Sequence, residues 1–352
     1  MAARDESRAE KLRGVSAGLA AAALFGSSAP FAKLLLPAAP PLVLSAILYL
    51  GAGAALSLWR AVGREPAEAA LRRADWPLLV GVVFLGGIAG PVLMLLGLAR
   101  MSALAVSLML NLEAAFTILL AVGLFGEHLG GVEALAAAAI ICGAAIVGLG
   151  PGEFHADPIG AAQVAGACLA WGIDNNLSQR LSLRDPVAIA RVKTLGAGAC
   201  TLALALVLGY RLPTGATLAG ALAVGALCYG ASLVLDMNAL RILGAAREAA
   251  YFATAPFIGA IVAVLVFGKA PKAAEWTGGL LMAVGVAMLT RERHAHLHVH
   301  RELEHDHLHV HDEHHRHVHP GPVAEPHSHP HRHAPLVHDH PHVSDLHHRH
   351  GH

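Results

Sequence analysis

The sequence predicts an all-α integral membrane protein in which ten transmembrane helices form two inverted five-helix repeats. Two observations lead to this fold class: long apolar runs recur along the chain, and the pattern of the first half returns in the second half. The composition agrees, because 55% of the 352 residues are hydrophobic and only 14% are charged, whereas a soluble domain carries about 25% charged residues.

Ten apolar runs between Leu12 and Thr290 are each long enough to cross a hydrocarbon core of about 30 Å as a helix. They occupy residues 14–36, 41–60, 77–99, 103–125, 130–150, 158–180, 187–209, 216–240, 246–268 and 273–290. A water-soluble fold could not bury so much apolar surface, and runs of this length exclude barrel strands.

The distribution of Lys and Arg predicts the orientation in a bacterial inner (plasma) membrane. With ten spans both termini lie on one side, and cytoplasmic segments carry the excess of basic residues. If that side is the cytoplasm, the outer segments keep only Lys33, Arg100, Arg211, Lys269 and Lys272. We therefore expect a multi-pass protein with both termini in the cytoplasm.

The two halves of the apolar region resemble each other at a spacing of about 145 residues. Arg100 matches Arg241, Phe116 matches Phe257, and "LFGSS" at Leu24 matches "AWGID" at Ala170. Because five is odd, the second five-helix unit must lie upside down relative to the first. Inverted repeats are typical of secondary transporters, whose substrate sites lie near the midplane; a duplicated membrane anchor is the alternative.

These features predict five segments of the chain. They are a cytoplasmic N-terminus over 1–13, a first repeat over 14–150, an extracytoplasmic linker over 151–157, a second repeat over 158–290 and a tail over 291–352.

The sequence over residues 14–290 resembles the EamA-type branch of the drug/metabolite transporter superfamily. The resemblance rests on "LNLEAAFTILLAVGLFGE" from Leu110, "ATAPFIGAIVAVLVFGK" from Ala253, and the "AL"-Arg step before each of them. It implies a transporter fold but no particular substrate. The family often has Glu-Pro in the fourth span, whereas this chain has Glu113 without the proline and Pro256 without the acid.

Ionisable residues inside a bilayer cost at least about 2.5 kcal/mol each, so they are candidates for the transport pathway. Glu113, beside Asn111, is the best candidate for a proton-coupled or substrate-facing acid. A candidate inner vestibule with both signs of charge comprises Asp174, Asn175, Asn176, Asp236, Asn238, Arg247 and Glu248. Ser27 and Ser28, next to Pro30, are candidates for a loosened helix that exposes carbonyl groups to a cavity. The alternatives are a neutral structural Glu113, hydrated residues at headgroup depth and a tolerated kink.

No motif of an enzyme or a primary pump is present. The four cysteines form no C-x-x-C, and the chain has no H-E-x-x-H, nucleophile elbow or Walker loop. We expect no enzymatic activity, no nucleic-acid partner and no required cofactor. The expected partners are the lipid bilayer and a small-molecule or ion substrate, with a homodimer left open.

The tail holds 23 of the 25 histidines, mostly spaced as H-x-H. It has little apolar material, so it is expected to be disordered. Residues two apart share a face in an extended chain, and neutral imidazole binds Ni, Zn or Co. The candidate ligands are His294, His296, His298, His300, His305, His307, His309, His311, His314, His315, His317 and His319. A pH sensor and a low-complexity tail without function are the alternatives.

Three functions are compatible with these observations. The first is a secondary-active exporter of small metabolites with a metal-binding or regulatory tail. The second is a divalent transition-metal exporter for Ni, Co or Zn whose tail collects cytoplasmic metal. The third is a membrane-tethered metal buffer without transport. We rank the metabolite transporter first, since the apolar core carries the transporter pattern and the tail is separable from it.

Overall fold

The computed structural model describes residues 2–63, 69–125, 130–149, 157–181 and 184–291, and four tail segments at 294–300, 303–309, 327–333 and 336–342. In the first half the helices are α1 Ala2–Gly26, α2 Ser28–Leu35, α3 Pro41–Val62, α4 Trp76–Val82, α5 Gly90–Arg100, α6 Ala103–Met109, α7 Leu112–Phe125 and α8 Gly131–Leu149. In the second half they are α9 Pro158–Gln179, α10 Pro186–Val207, α11 Gly215–Val224, α12 Ser232–Leu243, α13 Ala245–Phe252, α14 Ala255–Phe267 and α15 Ala273–Arg291.

Nine helical stretches of the described residues are long and apolar enough to cross a membrane. They are Lys11–Leu35, Pro41–Val62, Arg73–Arg100, Ala103–Gly123, Gly131–Leu149, Pro186–Val207, Gly215–Leu243, Arg247–Phe267 and Ala273–Thr290. The sixth predicted span forms helix α9 of 22 residues but is not among the nine. Its last turns carry Asp174, Asn175 and Asn176, which lower its hydropathy.

Proline and aspartate define where several of these helices begin. Proline occupies the first position of α3, α9 and α10, where its missing N–H costs no hydrogen bond. The side chain of Asp157 accepts from the backbone N–H of Gly160 at 2.8 Å, and Asp185 accepts from Ala188 at 3.0 Å. These N-cap hydrogen bonds fix the residue at which each loop ends and the following helix begins.

Irregular helical segments recur at matching places in the two halves. A π-helix at Val83–Ala89 connects α4 to α5, and a second at Gly225–Ala231 connects α11 to α12. The following span is broken in both halves, at residues 110–111 between α6 and α7 and at residues 253–254 between α13 and α14. This recurrence agrees with a repeat of the chain.

Glycines hold the two halves in close contact. Gly97 of α5, in the third predicted span of the first half, lies against Val164 of α9, in the first predicted span of the second half. The reverse pairing also occurs, because Gly18 of α1, in the first predicted span of the first half, lies against Ala239 of α12, in the third predicted span of the second half. Likewise, Gly172 lies against Phe116. Small residues allow membrane helices to approach closely and gain packing contacts. The halves are therefore interlocked along several helices.

Large apolar side chains cover the outside of the helical region. Leu265 is 76% exposed, Leu280 is 68% exposed and Phe84 is 58% exposed. Exposed apolar surface of this extent is a liability in water but favourable against lipid. The interior is apolar as well, with Leu44 and Ile140 fully buried.

The tail contains four strands within its described segments. Strand β1 (His294–His300) pairs antiparallel with β4 (Leu336–His342), and β2 (Leu303–His309) pairs antiparallel with β3 (His327–His333). This differs from the predicted disorder for these segments, and the alternation of His with other residues matches the two-residue period of a strand. Of the candidate metal ligands, His311, His314, His315, His317 and His319 lie outside the described residues.

Candidate transport site between the two halves

Glu113 lies at the contact between the first half and the second. It occupies the first turn of α7, directly after the break in the fourth span. Asn175 of α9 donates a hydrogen bond from Nδ2 to Glu113 Oε1 at 2.9 Å, and its Nδ2 lies 3.3 Å from Thr117 Oγ1. Asn175 is exposed, whereas Asp174 and Asn176 on either side of it are buried. An exposed amide within a membrane helix is expected to face a water-filled cavity.

Asn176 fixes α9 against α7. Its Nδ2 donates to the carbonyl of Thr117 at 3.1 Å and to the carbonyl of Gly172, one turn earlier, at 2.8 Å. Gly172 lies so close to the α7 backbone that a Cβ there would be 3.1 Å from Thr117 N. Asn176 therefore positions the surface on which Asn175 meets Glu113.

Asp174 forms a buried ion pair. Its carboxylate contacts Lys193 Nζ of α10, and Ser178 Oγ lies 3.4 Å from Asp174 Oδ1. Asp174 is 2% exposed, and the Lys193 side chain is 23% exposed. Gly86 of the first π-helix lies directly against the carboxylate, where a Cβ would overlap it. Both charged residues belong to the second half, and the missing side chain of Gly86 in the first half leaves space for the Asp174 carboxylate.

The first π-helix supplies a carbonyl acceptor beside this pair. The carbonyl of Gly86 accepts from Tyr49 Oη at 3.0 Å and from Trp171 Nε1 at 3.1 Å. A π-helix interrupts the regular α-helical pairing and leaves carbonyls for such donors. Tyr49 and Trp171 come from different halves, so the bulge also connects α3 with α9.

A second polar group lies on α12 and α13. The side chains of Asp236 and Glu248 hydrogen-bond to each other, and Glu248 is 9% exposed. Asn238 is half-buried on α12, and Arg247 is exposed. Within the described residues, no hydrogen bond or ion pair connects these residues with the Glu113 group. The single vestibule therefore stays a prediction, while the contacts of the described residues place Asn175 with Glu113 and Asp236 with Glu248.

The other candidates have local contacts. Asn111 donates to the carbonyl of Leu108 at 2.7 Å and lies 3.7 Å from the sulfur of Met282, so it caps α6 and faces α15. Ser27, at the break between α1 and α2, donates to the carbonyl of Ala23 at 2.6 Å. Ser28 is buried and pairs with the hydroxyl of Tyr229.

Comparison with known proteins identifies the family. The model of the EamA-like transporter family matches the chain twice, over residues 12–149 and 158–291. The chain belongs to the EamA-like transporter family. An uncharacterized transporter of Methanothermobacter thermautotrophicus is 31% identical over 298 residues, which cover 79% of this chain and 86% of that protein. A solved crystal structure aligns with a TM-score of 0.57 over 79% of this chain and 96% of its own, and its 20% identity concerns the fold alone.

Family membership confirms the resemblance drawn from "LNLEAAFTILLAVGLFGE" and its counterpart in the second half. The two matched regions correspond to the two halves that the spacing of Arg100 and Arg241 indicates. The protein is thus a multi-pass membrane transporter with two EamA-like regions, and the family consists of transporters rather than enzymes.

Several residues of this EamA-like site were absent from the sequence prediction. Lys193 is not among the predicted candidates, although a cation within an apolar run needs a counter-charge. Thr117, Tyr49 and Trp171 gave no signal, because a single polar atom on an apolar helix is common. Only the contact between helices distant in sequence identifies them.

The described part of the EamA-like core contains no group of three or more His, Cys, Asp or Glu side chains arranged to hold a metal ion. In the tail, the strand register places His296 opposite His340 and His307 opposite His329. The backbone thus brings histidine positions of distant segments together there.

A surface ion pair lies at the N-terminal end of α9, opposite the end that carries Asp174 and Asn175. Arg100 Nε lies 2.9 Å from Asp157 Oδ2, and this hydrogen bond holds the pKa of the Asp157 carboxyl below its ordinary value of 3.8. A lowered pKa contributes stability that is present above the ordinary value and lost as the pH falls through the lowered one. The Arg100–Asp157 contact is therefore unchanged near neutral pH. Any change of stability or transport with pH in that range must come from other groups.

Proposed function

We propose that the protein is a secondary-active exporter of small metabolites, built as two inverted five-helix repeats with α9 as the sixth of ten spans. The observation that carries this proposal is the hydrogen-bonded group of Glu113, Thr117 and Asn175 at the contact of the two halves. A transporter that alternates between its halves needs its substrate site at such a contact. The nearby Asp174–Lys193 pair adds both signs of charge without a net charge.

Within this proposal Glu113 binds the substrate. Its carboxylate accepts from Asn175 in the substrate-free state, and a substrate donor group replaces or joins that amide. The half-helix α7 begins at this site, so the carboxyl group lies at the positive end of its dipole. Cytoplasmic termini on a bacterial inner membrane complete the arrangement. A reporter fused after Thr290 that is active only in the periplasm would overturn this orientation.

The test is export from cells that overproduce the protein. Metabolites in the medium are quantified by mass spectrometry for the wild type, Glu113→Gln and an empty vector. Glu113→Gln should lower export of the transported metabolite at least about tenfold, because a charge-assisted hydrogen bond of about 1.5–3 kcal/mol is lost, or shift its pH optimum, with membrane insertion unchanged. Glu133→Gln is the matched control, since Glu133 also lies in the first turn of a helix and its carboxylate accepts from the backbone N–H of Gly130 at 2.9 Å. Full export by Glu113→Gln with an unchanged pH profile would remove Glu113 from the mechanism.

A second candidate function is export of Ni, Co or Zn, with the tail collecting the metal. The observation in its favour is the strand register, which pairs histidine positions across β1–β4 and β2–β3. Metal resistance of a deletion strain, complemented with the whole chain or with residues 1–293, distinguishes the functions. Tail-dependent resistance supports metal export. Resistance without metal efflux supports a membrane-tethered buffer, and no difference favours the metabolite exporter.

A further inference from the structure

Asp236 and Glu248 form a contact that two ionised carboxylates cannot make. Their side chains hydrogen-bond to each other, yet Asp236 Oδ1 and Glu248 Oε1 are buried and meet no N–H or O–H donor. An ionised carboxylate only accepts hydrogen bonds. A proton on one of the two carboxyl groups turns that group into a donor and supplies the hydrogen bond that two ionised groups lack.

The titratable neighbours of the pair lie on the elements that pack against it. The elements packed against Asp236 and Glu248 are α1, α15, the π-helix Gly225–Ala231, and α12 and α13 themselves. Their other described titratable side chains are Lys11, Arg13, Cys228, Tyr229, Arg241, Arg247, Tyr251 and Glu275. Lys11, Arg13, Arg241 and Arg247 are exposed, and Tyr229 pairs with Ser28. Among the described residues no cation forms an ion pair with either carboxyl.

The repeat shows that this pair belongs to one half only. The match of Arg100 with Arg241 places Leu95 opposite Asp236 and Ser107 opposite Glu248. Leu95 is fully buried, and the buried hydroxyl of Ser107 has no partner. The same architecture therefore packs without any charge at these two positions. The carboxyl pair is an addition to the second half and is not required by the fold.

The pair also lies where its charge can change the packing. Helices α12 and α13 are joined by Gly244 alone, whose φ of 80° and ψ of 159° are accessible only to glycine. Both helices contact α1, where Gly14 lies against Ile242 and Leu243, and Gly18 lies against Tyr251. A change in the angle between α12 and α13 would therefore alter the contact of the second half with the first.

We propose that Asp236 and Glu248 together hold one exchangeable proton and that this proton is the ion to which transport is coupled. This inference rests on the proposed function and names its coupling ion. With the proton bound, the pair carries one negative charge and holds α12 against α13. When the proton leaves to water, two carboxylates face each other in a medium of low dielectric, and their repulsion separates the helices about Gly244. Protonation thus biases one half between two arrangements.

The first experiment detects the proton without any substrate. A hydrophobic carbodiimide reacts with protonated carboxyl groups in apolar surroundings, and mass spectrometry of the full-length protein in membranes locates the adduct. We expect an adduct on Asp236 or Glu248 at neutral pH that is lost at alkaline pH. Asp236→Asn should abolish the adduct on Glu248, because the asparagine amide replaces the proton as donor, and Glu248→Gln should abolish it on Asp236. Ser107→Ala, at the equivalent position of the first half, should leave the yield unchanged.

The second experiment follows thermal unfolding of the purified protein as the pH is raised from neutral to alkaline. The folded pair keeps a proton that the unfolded carboxyl groups release near pH 4 (reference pKa about 3.9 and about 4.3). The folded state then binds more protons, so the melting temperature should fall as the pH rises. Asp236→Asn and Glu248→Gln should remove this fall. If a single variant fails to fold, Asp236→Leu with Glu248→Ser, which copies Leu95 and Ser107, provides the same comparison.

The outcomes separate this inference from the proposed function. Absence of any adduct on both residues, or a melting profile that the variants leave unchanged, overturns the proton site even if export stands. If the adduct shows the expected pH dependence but export does not change with an imposed pH gradient, the proton site stands and only its coupling to transport is overturned. Export that requires the gradient in the wild type but not in Glu248→Gln supports it. If the wild type exports nothing above the empty vector, the proposed function fails instead, whatever the labelling shows.

Discussion

Asp174 and Lys193 show what a charged residue requires inside a membrane helix. The carboxylate is almost completely buried, yet it has a cation from α10, a hydroxyl from its own helix and room beside Gly86. Two charges that compensate each other can be buried together, whereas either one alone carries the whole desolvation penalty. The pair therefore contributes mainly through the cost of breaking it.

We expect Asp174→Asn to destabilise the protein by about 3 kcal/mol, because Lys193 is left as an uncompensated charge. The double variant Asp174→Asn with Lys193→Met should recover most of this loss. Thermal unfolding in detergent measures both. As a control, Asp157→Asn breaks the Arg100 contact at the surface and should have a much smaller effect, since exposed ion pairs are weak. Equal losses in the single and double variants would contradict this account.

At this scale the sequence identified the ionisable residues but not their partners. Glu113 and Asp174 stand out because a charge within an apolar run is costly wherever it lies. Asn175 is 62 residues from Glu113, and Lys193 is 19 residues from Asp174. Which of them meet depends on how α9 packs against α5 and α7, and on how both α9 and α10 pack against the π-helix Val83–Ala89. One sequence contains no direct signal of that packing.

The two π-helices could not be predicted from the pattern of apolar residues. Val83–Ala89 and Gly225–Ala231 are as apolar as the α-helices around them, and a change of hydrogen-bond register leaves the composition unaltered. The spans themselves were predictable, because their lengths follow from the thickness of the bilayer. The exception is α9, whose polar residues belong to the candidate site.

The crossing of α8 and α15 depends on glycine. A Cβ on Gly143 would lie 2.7 Å from the carbonyl oxygen of Gly278, whereas a Cβ on Gly131 of the same helix meets nothing within 4 Å. We expect Gly143→Ala to cost about 1–3 kcal/mol by forcing the helices apart. Gly131→Ala should be neutral. Chemical denaturation in mixed micelles measures both, and similar stabilities for the two variants would argue against the close crossing.

For the whole molecule, we expect the tail to be separable from the transporter. Removal of residues 294–352 should leave insertion and the melting temperature unchanged, since the EamA-like regions end at residue 291. The full-length protein should bind several equivalents of Ni or Zn at pH 7.5 and release most of them by pH 5, because protons compete for imidazole with a pKa of about 6.5. Isothermal titration of both forms measures this. Equal binding by both would exclude the tail as the metal site.

The interlocked halves have a consequence for how the chain is made. Gly97 of the first half packs against Val164, and Gly143 packs against Gly278. These surfaces of residues 12–149 are therefore covered only after residues 158–291 have been synthesised. At about 5–20 residues per second, the ribosome needs roughly 7–27 s to supply the second half. We expect the five candidate spans of the first half to stay in the membrane during that interval, with their glycine-lined grooves open to lipid. Biosynthesis is thus expected to pass through a half-assembled intermediate whose lifetime is set by translation.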